Sequence, residues 1–175
     1  MLVVFGGLPG TGKTTLARRV ADRLEATYLR IDAIEQALRS SLAMADDVGP
    51  AGYAIACAVG EANLMLGRTV VADCVNPLPV TRAAWRDLAA RTSSPIVEIE
   101  ILCSDEAEHR RRVESRETDI PGLTPPTWAA VMARDYRPWS GPRMMVDTTT
   151  MTIADAESAI VEAIKRRSSG LPDAG

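Results

Sequence analysis

The chain has 175 residues, enough for one domain with a sizeable hydrophobic core and too few for two domains of ordinary size. Hydrophobic residues make up 46% of the sequence, which is typical of a globular protein and excludes a disordered one. The net charge of −3 gives no electrostatic argument for nucleic acid as a general partner, so we expect nucleic-acid binding to be unlikely, with a local basic patch as the exception that stays open.

Cysteine, histidine and apolar-run patterns set the expected compartment and metal content. Cys57, Cys74 and Cys103 are widely spaced, and with the lone His109 they do not form a zinc set. We therefore expect buried free thiols in a reducing cytoplasm. The first apolar run starts too early for a cleaved signal peptide, and none approaches the length of a membrane span. The sequence thus predicts a cytoplasmic protein with no membrane partner.

A glycine-rich motif follows the first apolar run, Leu2–Phe5, which reads as a buried parallel strand. From Gly7 the sequence spells G-x-x-x-x-G-K-T, and an apolar face at helical spacing comes after it. A chance glycine-rich turn would lack this strand–loop–helix context. Backbone N–H groups of such a loop and the positive end of the new helix point at phosphate. The predicted phosphate-binding residues are Gly7, Leu8, Pro9, Gly10, Thr11, Gly12, Lys13, Thr14 and Thr15.

Two residues of this motif have specific expected roles. Lys13 is expected to reach the terminal phosphates of a nucleotide, and the Thr14 hydroxyl is expected to bind Mg²⁺.

Four more apolar runs predict strands, and the segments between them predict helices. The strands are expected at Tyr28–Ile31, Thr69–Asp73, Ile96–Leu102 and Met144–Asp147. Strands that alternate with helices indicate an α/β fold whose parallel sheet is covered on both faces, with ligands at the carboxyl ends of the strands.

The helices carry their own signals. One helical pattern begins at Asp32. A separate, later helix should bury a face formed by Ile55, Val59, Ala62 and Leu66 and should end at Gly67. Capping patterns place helix starts at Asp105 and Thr152, and residues 128–136 are expected to be helical.

Two carboxylates end predicted strands and are candidates for catalysis. Asp32, expected beside the phosphate-loop strand, could accept a proton from an acceptor hydroxyl or orient it; it could also cap the next helix, and both roles can hold together. Asp73 is expected to hold Mg²⁺ as a Walker B carboxylate does, while a role in substrate binding or in a turn stays open. Asn76, three residues later, is better explained as a turn residue before a proline.

An arginine-rich run precedes a loop rich in Gly and Pro. Arg112 and Arg116 are four residues apart and would share a helix face, from which a mobile lid could carry them over a nucleotide. The alternative is an ordinary solvated face. Arg82 and Arg86 also share a face and are expected to be exposed, and Tyr53 is the aromatic residue best placed to line an acceptor pocket.

Taken together, the motifs resemble those of the small P-loop kinases, closest to the chloramphenicol phosphotransferase-like and polynucleotide-kinase-like branch that is often labelled AAA-type ATPase. The resemblance rests on residues 7–15, Ile31-Asp32, Val70–Asp73, Arg112-x-x-x-Arg116 and Val146–Thr148, and it covers residues 1–167. It implies a three-layer adenylate-kinase-like fold with strand order 2-3-1-4-5, a lid at about 112–128, and a flexible tail at 168–175.

The resemblance also implies a reaction and its cofactors. ATP and Mg²⁺ would be bound, and the γ-phosphate would move to a hydroxyl held by Asp32. Arg112 and Arg116 would contact ATP from the lid, and Thr148, with the loop that follows it, would lie against the adenine.

The sequence departs from the polynucleotide kinases three residues after Asp32, where Glu35 stands in place of an arginine for the substrate phosphate. Ile34 stands where shikimate kinases carry a second Asp. With Asp46 and Asp47, Glu35 would make the acceptor pocket acidic and suit a neutral or cationic small molecule.

The sequence therefore predicts an ATP-dependent phosphotransferase that acts on a small alcohol, of sugar or antibiotic type. Its alternatives are a kinase for nucleic-acid or nucleoside 5′-hydroxyls and a nucleotide-binding switch or ATPase without such an acceptor. The sequence predicts neither the acceptor's identity nor the oligomeric state.

Overall fold

A computed structural model of the protein describes residues 1–42 and 48–169. Five strands in this part of the chain form one parallel sheet in the order β2-β3-β1-β4-β5. The strands are β1 Leu2–Gly6, β2 Thr27–Arg30, β3 Val70–Asp73, β4 Ile96–Leu102 and β5 Met144–Asp147. The predicted α/β class and the strand order implied by the resemblance are both confirmed.

Seven helices connect the strands or follow them in the described residues. They are α1 Lys13–Arg23, α2 Ile31–Leu42, α3 Ala51–Met65, α4 Pro79–Arg91, α5 Glu106–Glu114, α6 Trp128–Met132 and α7 Ile153–Ser168. None of the helices in the described ranges is long and apolar enough to cross a membrane.

Alternate residues of the central strand enter two separate hydrophobic cores, because successive side chains of a strand point to opposite faces. Val3 and Phe5 of β1 pack with apolar residues of α1 and α7 on one face of the sheet. Leu2 and Val4 pack on the other face with residues of α3 and α4, among them the fully buried Trp85. All five residues of β1 are buried, as a strand covered on both faces should be.

The predicted buried face of α3 was wrong. Ile55, Val59, Ala62 and Leu66 lie on the exposed or partly exposed side of this helix. The helix buries Gly52, Ala56, Gly60 and Leu64 instead. A Cβ on Gly60 would lie 3.4 Å from Leu88 and 3.5 Å from Leu29, so small residues let α3 approach the sheet closely. Close backbone approach, rather than bulk hydrophobicity, decides which face is buried here.

Several helix ends agree with the sequence pattern, and others do not. The N-cap side chains of Asp105 and Thr152 accept the expected hydrogen bonds from the N–H groups of Glu108 (3.0 Å) and Asp155 (3.2 Å). Helix α6 ends at Met132, so the expected helix over 128–136 is too long by one turn. Residues 168 and 169 of the predicted tail belong to the end of α7 and its cap, and residues 170–175 lie outside the described ranges.

Candidate active site

The glycine-rich loop links the end of β1 to the start of α1, and its backbone requires glycine. Gly7, Gly10 and Gly12 have φ values of +145°, +87° and +89°, which L side chains rarely adopt. A Cβ on Gly7 would lie 2.4 Å from the carbonyl oxygen of Ile101, and one on Gly10 would lie 2.5 Å from Val113. The loop is therefore lined by backbone, as the motif predicts for a phosphate cradle.

Side chains from two other elements support this loop from beneath. The Thr148 hydroxyl, after β5, donates to the Thr11 carbonyl at 2.9 Å, and Thr148 is 6% exposed. His109 of α5 bonds the Pro9 carbonyl through Nε2 at 2.8 Å, so this nitrogen carries the proton. The Trp128 ring lies edge-on to His109 with centroids 5.1 Å apart. The sequence did not single out His109 for this contact.

Lys13 and Asp73 form a buried ion pair at the carboxyl edge of the sheet. Lys13 Nζ lies 2.8 Å from Asp73 Oδ1, and the two residues are 6% and 2% exposed. Asp73 Oδ2 accepts a hydrogen bond of 2.7 Å from the Tyr28 hydroxyl. The predicted ends of β3 and of the glycine-rich motif therefore meet at one point.

The charges of this pair reinforce each other. Burial alone would raise the pKa of Asp73, but Lys13, Tyr28 and Thr14 hold it below its usual range. Burial would likewise lower the pKa of Lys13, but Asp73 and Asp32 raise it above its ordinary value. Both groups are therefore charged at neutral pH. An ion that binds here lies beside one fixed positive charge, Lys13, and one fixed negative charge, Asp73.

Asp32 lies close to the pair, but not where a strand end would place it. The strand β2 ends at Arg30, and Asp32 is the second residue of α2, within its first turn. We expected β2 to lie beside β1, the strand before the phosphate loop. Strand β3 lies between them instead. Asp32 still raises the pKa of Lys13 through its charge.

Glu35 belongs to a different environment from the one expected. Burial, and then the nearby charge of Asp32, raise the pKa of Glu35. Its side chain packs so closely on Gly52 of α3 that a Cβ there would lie 2.5 Å from Glu35 Cγ. Arg39 pairs with its carboxylate at 3.4 Å. Asp46 and Asp47, expected to share the pocket, lie outside the described residues.

The two lid arginines do not share a helix face, which corrects the prediction. Helix α5 ends at Glu114, so Arg116 lies in the loop beyond it. Arg112 is held by Glu108 at 2.7 Å and by the Thr148 hydroxyl at 2.8 Å, which ties it to the support of the phosphate loop. Arg116 is partly exposed, and its side chain has no hydrogen bond or ion pair with the described residues.

Arg82 is also placed differently from the prediction. It is 2% exposed rather than solvated, and its guanidinium donates to four carbonyl oxygens of the residues at 76, 77, 137 and 138. The ring of Trp139 lies 4.5 Å from its central carbon. Arg86, one turn later, remains partly exposed and pairs with Glu98 at 2.7 Å. Tyr53 bonds the N–H of Asn76 at 2.9 Å.

Arg30 is the site residue that the sequence analysis missed. Its side chain is 5% exposed, and Nε lies 4.0 Å from Asp73 Oδ2. Nη1 donates to Asp119 at 2.8 and 3.0 Å, and Arg18 of α1 bonds the same carboxylate. The signal was a charged residue inside the apolar run Tyr28–Ile31, at the end of the strand where ligands bind in such sheets.

Comparison with known proteins adds relatives whose function is not described. The chain is 35% identical over 109 residues to the uncharacterised protein Rv2004c of Mycobacterium tuberculosis, a match that covers 55% of this chain. It spans about a fifth of the length of the curated relatives it matches, since the match covers 22% of that protein.

Several solved structures with the same fold are kinases. A candidate kinase from Chloroflexus aurantiacus superposes with a TM-score of 0.73 at 19% identity, over 95% of this chain and 96% of that one. The APS kinase CysC of Mycobacterium tuberculosis, in complex with AMPPNP and APS, gives 0.66 at 19% identity over 94% and 96%. A gluconokinase from Sinorhizobium meliloti gives 0.62 at 17% identity over 95% and 96%. These likenesses show that the chain has the P-loop kinase fold.

The sequence also matches a protein family whose boundaries include the phosphate loop, Asp32, Asp73 and the α5 arginines. The matched family is AAA_33, described as an AAA domain, and the match runs from residue 2 to residue 135. The narrower resemblance to chloramphenicol phosphotransferases has no counterpart among these matches. The chain therefore belongs to the AAA_33 family of AAA domains.

Proposed function

We propose that the protein is an ATP-dependent phosphotransferase that moves the γ-phosphoryl group of ATP to a hydroxyl of a small molecule. The observation that carries the proposal is the meeting of Lys13, Thr14 and Asp73 beside the glycine-lined loop, with Asp32 near enough to act on the charge of Lys13. Phosphoryl transfer needs positioning and charge neutralisation at such a point more than it needs covalent chemistry.

The residues present fit ATP and Mg²⁺. The positive φ values at Gly7, Gly10 and Gly12 are those of a glycine-rich loop whose backbone N–H groups can face a polyphosphate. The Thr14 hydroxyl and the Asp73 carboxylate are hard oxygen donors of the kind that Mg²⁺ takes, and Asp73 is paired with Lys13, the residue before Thr14. When bound, the ion would neutralise charge on the phosphates.

The transfer itself can be assigned to atoms of this chain and of its substrates. The acceptor hydroxyl oxygen forms a bond to the γ-phosphorus, the bond from that phosphorus to the β–γ bridging oxygen breaks, and ADP leaves. The Asp32 carboxylate orients the hydroxyl and takes its proton. Lys13 neutralises charge on the transferred group, and the guanidinium of Arg116, which has no partner among the described residues, is available to do the same from the loop after α5.

Arg112 and Thr148 have a supporting part in this proposal. Arg112 bonds the Thr148 hydroxyl, and that hydroxyl bonds the Thr11 carbonyl within the phosphate loop. A displacement of Arg112, at the base of the predicted lid, would therefore also displace the phosphate loop through Thr148. Thr148 thus contributes to nucleotide binding by fixing the loop as well as by its place before the predicted adenine segment.

A screen and one substitution test the proposal. ADP release is measured with sugars, antibiotics, nucleosides, simple alcohols and oligonucleotides as acceptors, and the product is checked for phosphate. We expect a small alcohol to stimulate turnover and Asp32→Asn to lower the transfer rate by about 10²–10⁴-fold, with nucleotide affinity unchanged.

The control for this substitution is Asp87→Asn, on the exposed side of α4. Transfer undiminished in Asp32→Asn would contradict the role of this carboxylate. Stimulation by oligonucleotides alone would favour the 5′-hydroxyl kinase. ATP hydrolysis without any phosphorylated product would favour the nucleotide-binding switch.

A further inference from the structure

A second concave region lies beside the proposed catalytic point, on the side of β2 and α2. It is a cavity of about 590 Å³, bounded by the end of β2, one face of α2 and residues 119–121. Arg18, Tyr28, Arg30 and Asp119 supply its polar groups. Ala33, Ile34, Ala37 and Ile120 supply apolar surface, so the cavity has a charged end and a hydrophobic wall.

The charged end contains a guanidinium whose hydrogen bonds are incomplete. Arg30 uses only Nη1, which donates to Asp119; its Nε and Nη2 are buried and have no hydrogen-bond partner in the described structure. Buried donors without acceptors are costly, by roughly 1–3 kcal/mol each, and charged ones more so. A ligand with oxygen atoms directed at these two donors would remove that cost.

Asp119 already binds the third nitrogen of the same guanidinium, Nη1, so an anion that also reaches Nε and Nη2 would compete with this carboxylate. It belongs to the loop after α5, its side chain is 47% exposed, and it accepts hydrogen bonds from both Arg30 and Arg18. Hydrogen bonds from Arg30 and Arg18 lower the pKa of Asp119 to about 2, because together they outweigh the effect of burial, which raises it. Protonation therefore does not release this contact near neutral pH, and only a competing anion would do so.

Glu35, the described member of the acidic set that disfavours an anionic acceptor, does not line this cavity. Glu35 points at Gly52 of α3, and the cavity is lined by Ala33, Gln36 and Ala37 of the same helix. The expectation of an acidic acceptor pocket, drawn from the sequence, therefore does not apply to this region as far as it is described.

We propose that this cavity is the anion subsite of the acceptor: a carboxylate or phosphate group of the acceptor binds Arg30 and Arg18 in place of Asp119. The acceptor is then a hydroxyl-bearing anion, such as a hydroxy acid or a sugar phosphate, whose carbon skeleton packs on the apolar wall. The assignment to the acceptor rests on the proposed phosphotransferase function. Its nearness to the reaction follows from the 4.0 Å between Arg30 Nε and Asp73.

Binding of the acceptor would also free the loop that carries Asp119. Asp119 is the charged contact of residues 119–121 with the cavity, and Ile120 is a buried apolar one at 9% exposure. Displacement of the carboxylate would leave the loop held by Ile120 and its neighbours. Arg116, three residues before Asp119, would thereby gain freedom to reach the nucleotide.

The test measures anion binding to the full chain without ATP. D-gluconate and glucose 6-phosphate are the two anionic probes, D-glucose is the neutral control, and ionic strength is held constant with chloride. Side-chain Nε–H signals of ¹⁵N-labelled protein report the site, and the Arg30 signal is assigned by its loss in Arg30→Lys.

We expect at least one anion to shift the Arg30 signal and to bind at least tenfold more tightly than glucose. Arg30→Gln should weaken that binding at least tenfold, and Asp119→Asn should strengthen it about threefold or more because it removes the competing carboxylate. Arg23→Gln, an exposed arginine of α1 paired with Glu157, is the matched control and should leave affinity unchanged. Asp119→Asn also serves if Arg30→Gln does not fold.

Equal affinity of the wild-type and Asp119→Asn proteins would overturn the subsite, as would binding that survives Arg30→Gln or the absence of anion binding. The two proposals fail separately. A protein that phosphorylates neutral alcohols but shows no Arg30-dependent anion binding contradicts the subsite alone. If an anion binds in an Arg30-dependent way but neither it nor any other acceptor is phosphorylated, the phosphotransferase function alone is contradicted.

Discussion

Two buried arginines of this protein, Arg82 and Arg30, are similar in burial and opposite in hydrogen bonding. Arg82 is 2% exposed, and its donors reach four backbone carbonyls between residues 76 and 138, with Trp139 stacked on the guanidinium. The side chain of Arg30 is 5% exposed, but two of its nitrogens, Nε and Nη2, have no hydrogen-bond partner in the described structure.

The difference separates a structural arginine from a binding one. A buried cation whose donors are satisfied by backbone stabilises the segments it joins, here the loop after β3 and residues 137–138. A buried cation with free donors beside a cavity stores unsatisfied hydrogen-bonding capacity that a ligand can use. We therefore expect substitutions at Arg82 to act mainly on folding and substitutions around Arg30 to act mainly on binding.

The largest expected effect is on stability, at Arg82. Arg82→Met keeps much of the side-chain volume but leaves four carbonyls without their donor, so the free energy of unfolding should fall by about 3 kcal/mol. Urea denaturation followed by tryptophan fluorescence measures this change, since Trp139 lies against the substituted side chain. Arg91→Met, an exposed arginine of the same helix, is the control. A stability equal to that of the control would contradict the structural role of Arg82.

A smaller effect is expected at Tyr28, which joins the two regions of the proposed site. Tyr28→Phe removes the 2.7 Å hydrogen bond to Asp73 Oδ2, and it should lower the free energy of unfolding by about 1–2 kcal/mol at pH 7. The same change should raise the pKa of Asp73, because one of the groups that stabilise its charge is lost. Chemical denaturation at several pH values measures both quantities, and a pH profile identical to the wild type would show that the bond contributes nothing to the charge of Asp73.

The smallest expected effect is that of pH on the contact between Arg30 and Asp119, which should not change near neutral pH. The native pKa of Asp119 is about 2, below its unfolded value, so its contribution to stability is present above the unfolded pKa and is lost as pH falls through the folded one. Between pH 7 and pH 5 the Arg30–Asp119 contact should therefore persist, and the Arg30 Nε–H signal should not move. Movement of that signal with a midpoint in this range would show that another titrating group controls the contact.

The sequence predicted the fold well because its strongest signals are local. Apolar runs, the glycine-rich motif and the N-cap residues Asp105 and Thr152 each report on their own few neighbours. All of these elements form, although β2 covers Thr27–Arg30 rather than the predicted Tyr28–Ile31. The buried face of α3 was missed because the large residues Ile55 and Val59 face outward. Periodicity gave the wrong face, because α3 instead buries Gly52 against Glu35 of α2 and Gly60 against Leu29 of β2 and Leu88 of α4.

The site was predicted in part, for a related reason. The motif and the strand-end rule predicted Lys13 and Asp73 at one edge of the sheet, and their ion pair agrees with this. The roles expected for Lys13, Thr14 and Asp73 toward a nucleotide stay predictions. Arg30 and Asp119 are 89 residues apart, and only the tertiary fold brings them into contact. Arg82 was expected to be exposed because no local pattern shows that four carbonyls surround it. Long-range charge pairing of this kind has no signature in a single sequence.

The measurement that tests the central claim most directly is the affinity of the folded protein for ATP with magnesium, in the wild type and in Lys13→Met. Isothermal titration calorimetry gives the affinity, and circular dichroism checks the fold, because the substitution leaves Asp73 without its buried cation. We expect Lys13→Met to remain folded and to bind ATP at least a hundredfold more weakly, a loss of about 2.7 kcal/mol. A folded Lys13→Met protein that binds ATP as tightly as the wild type would contradict the account.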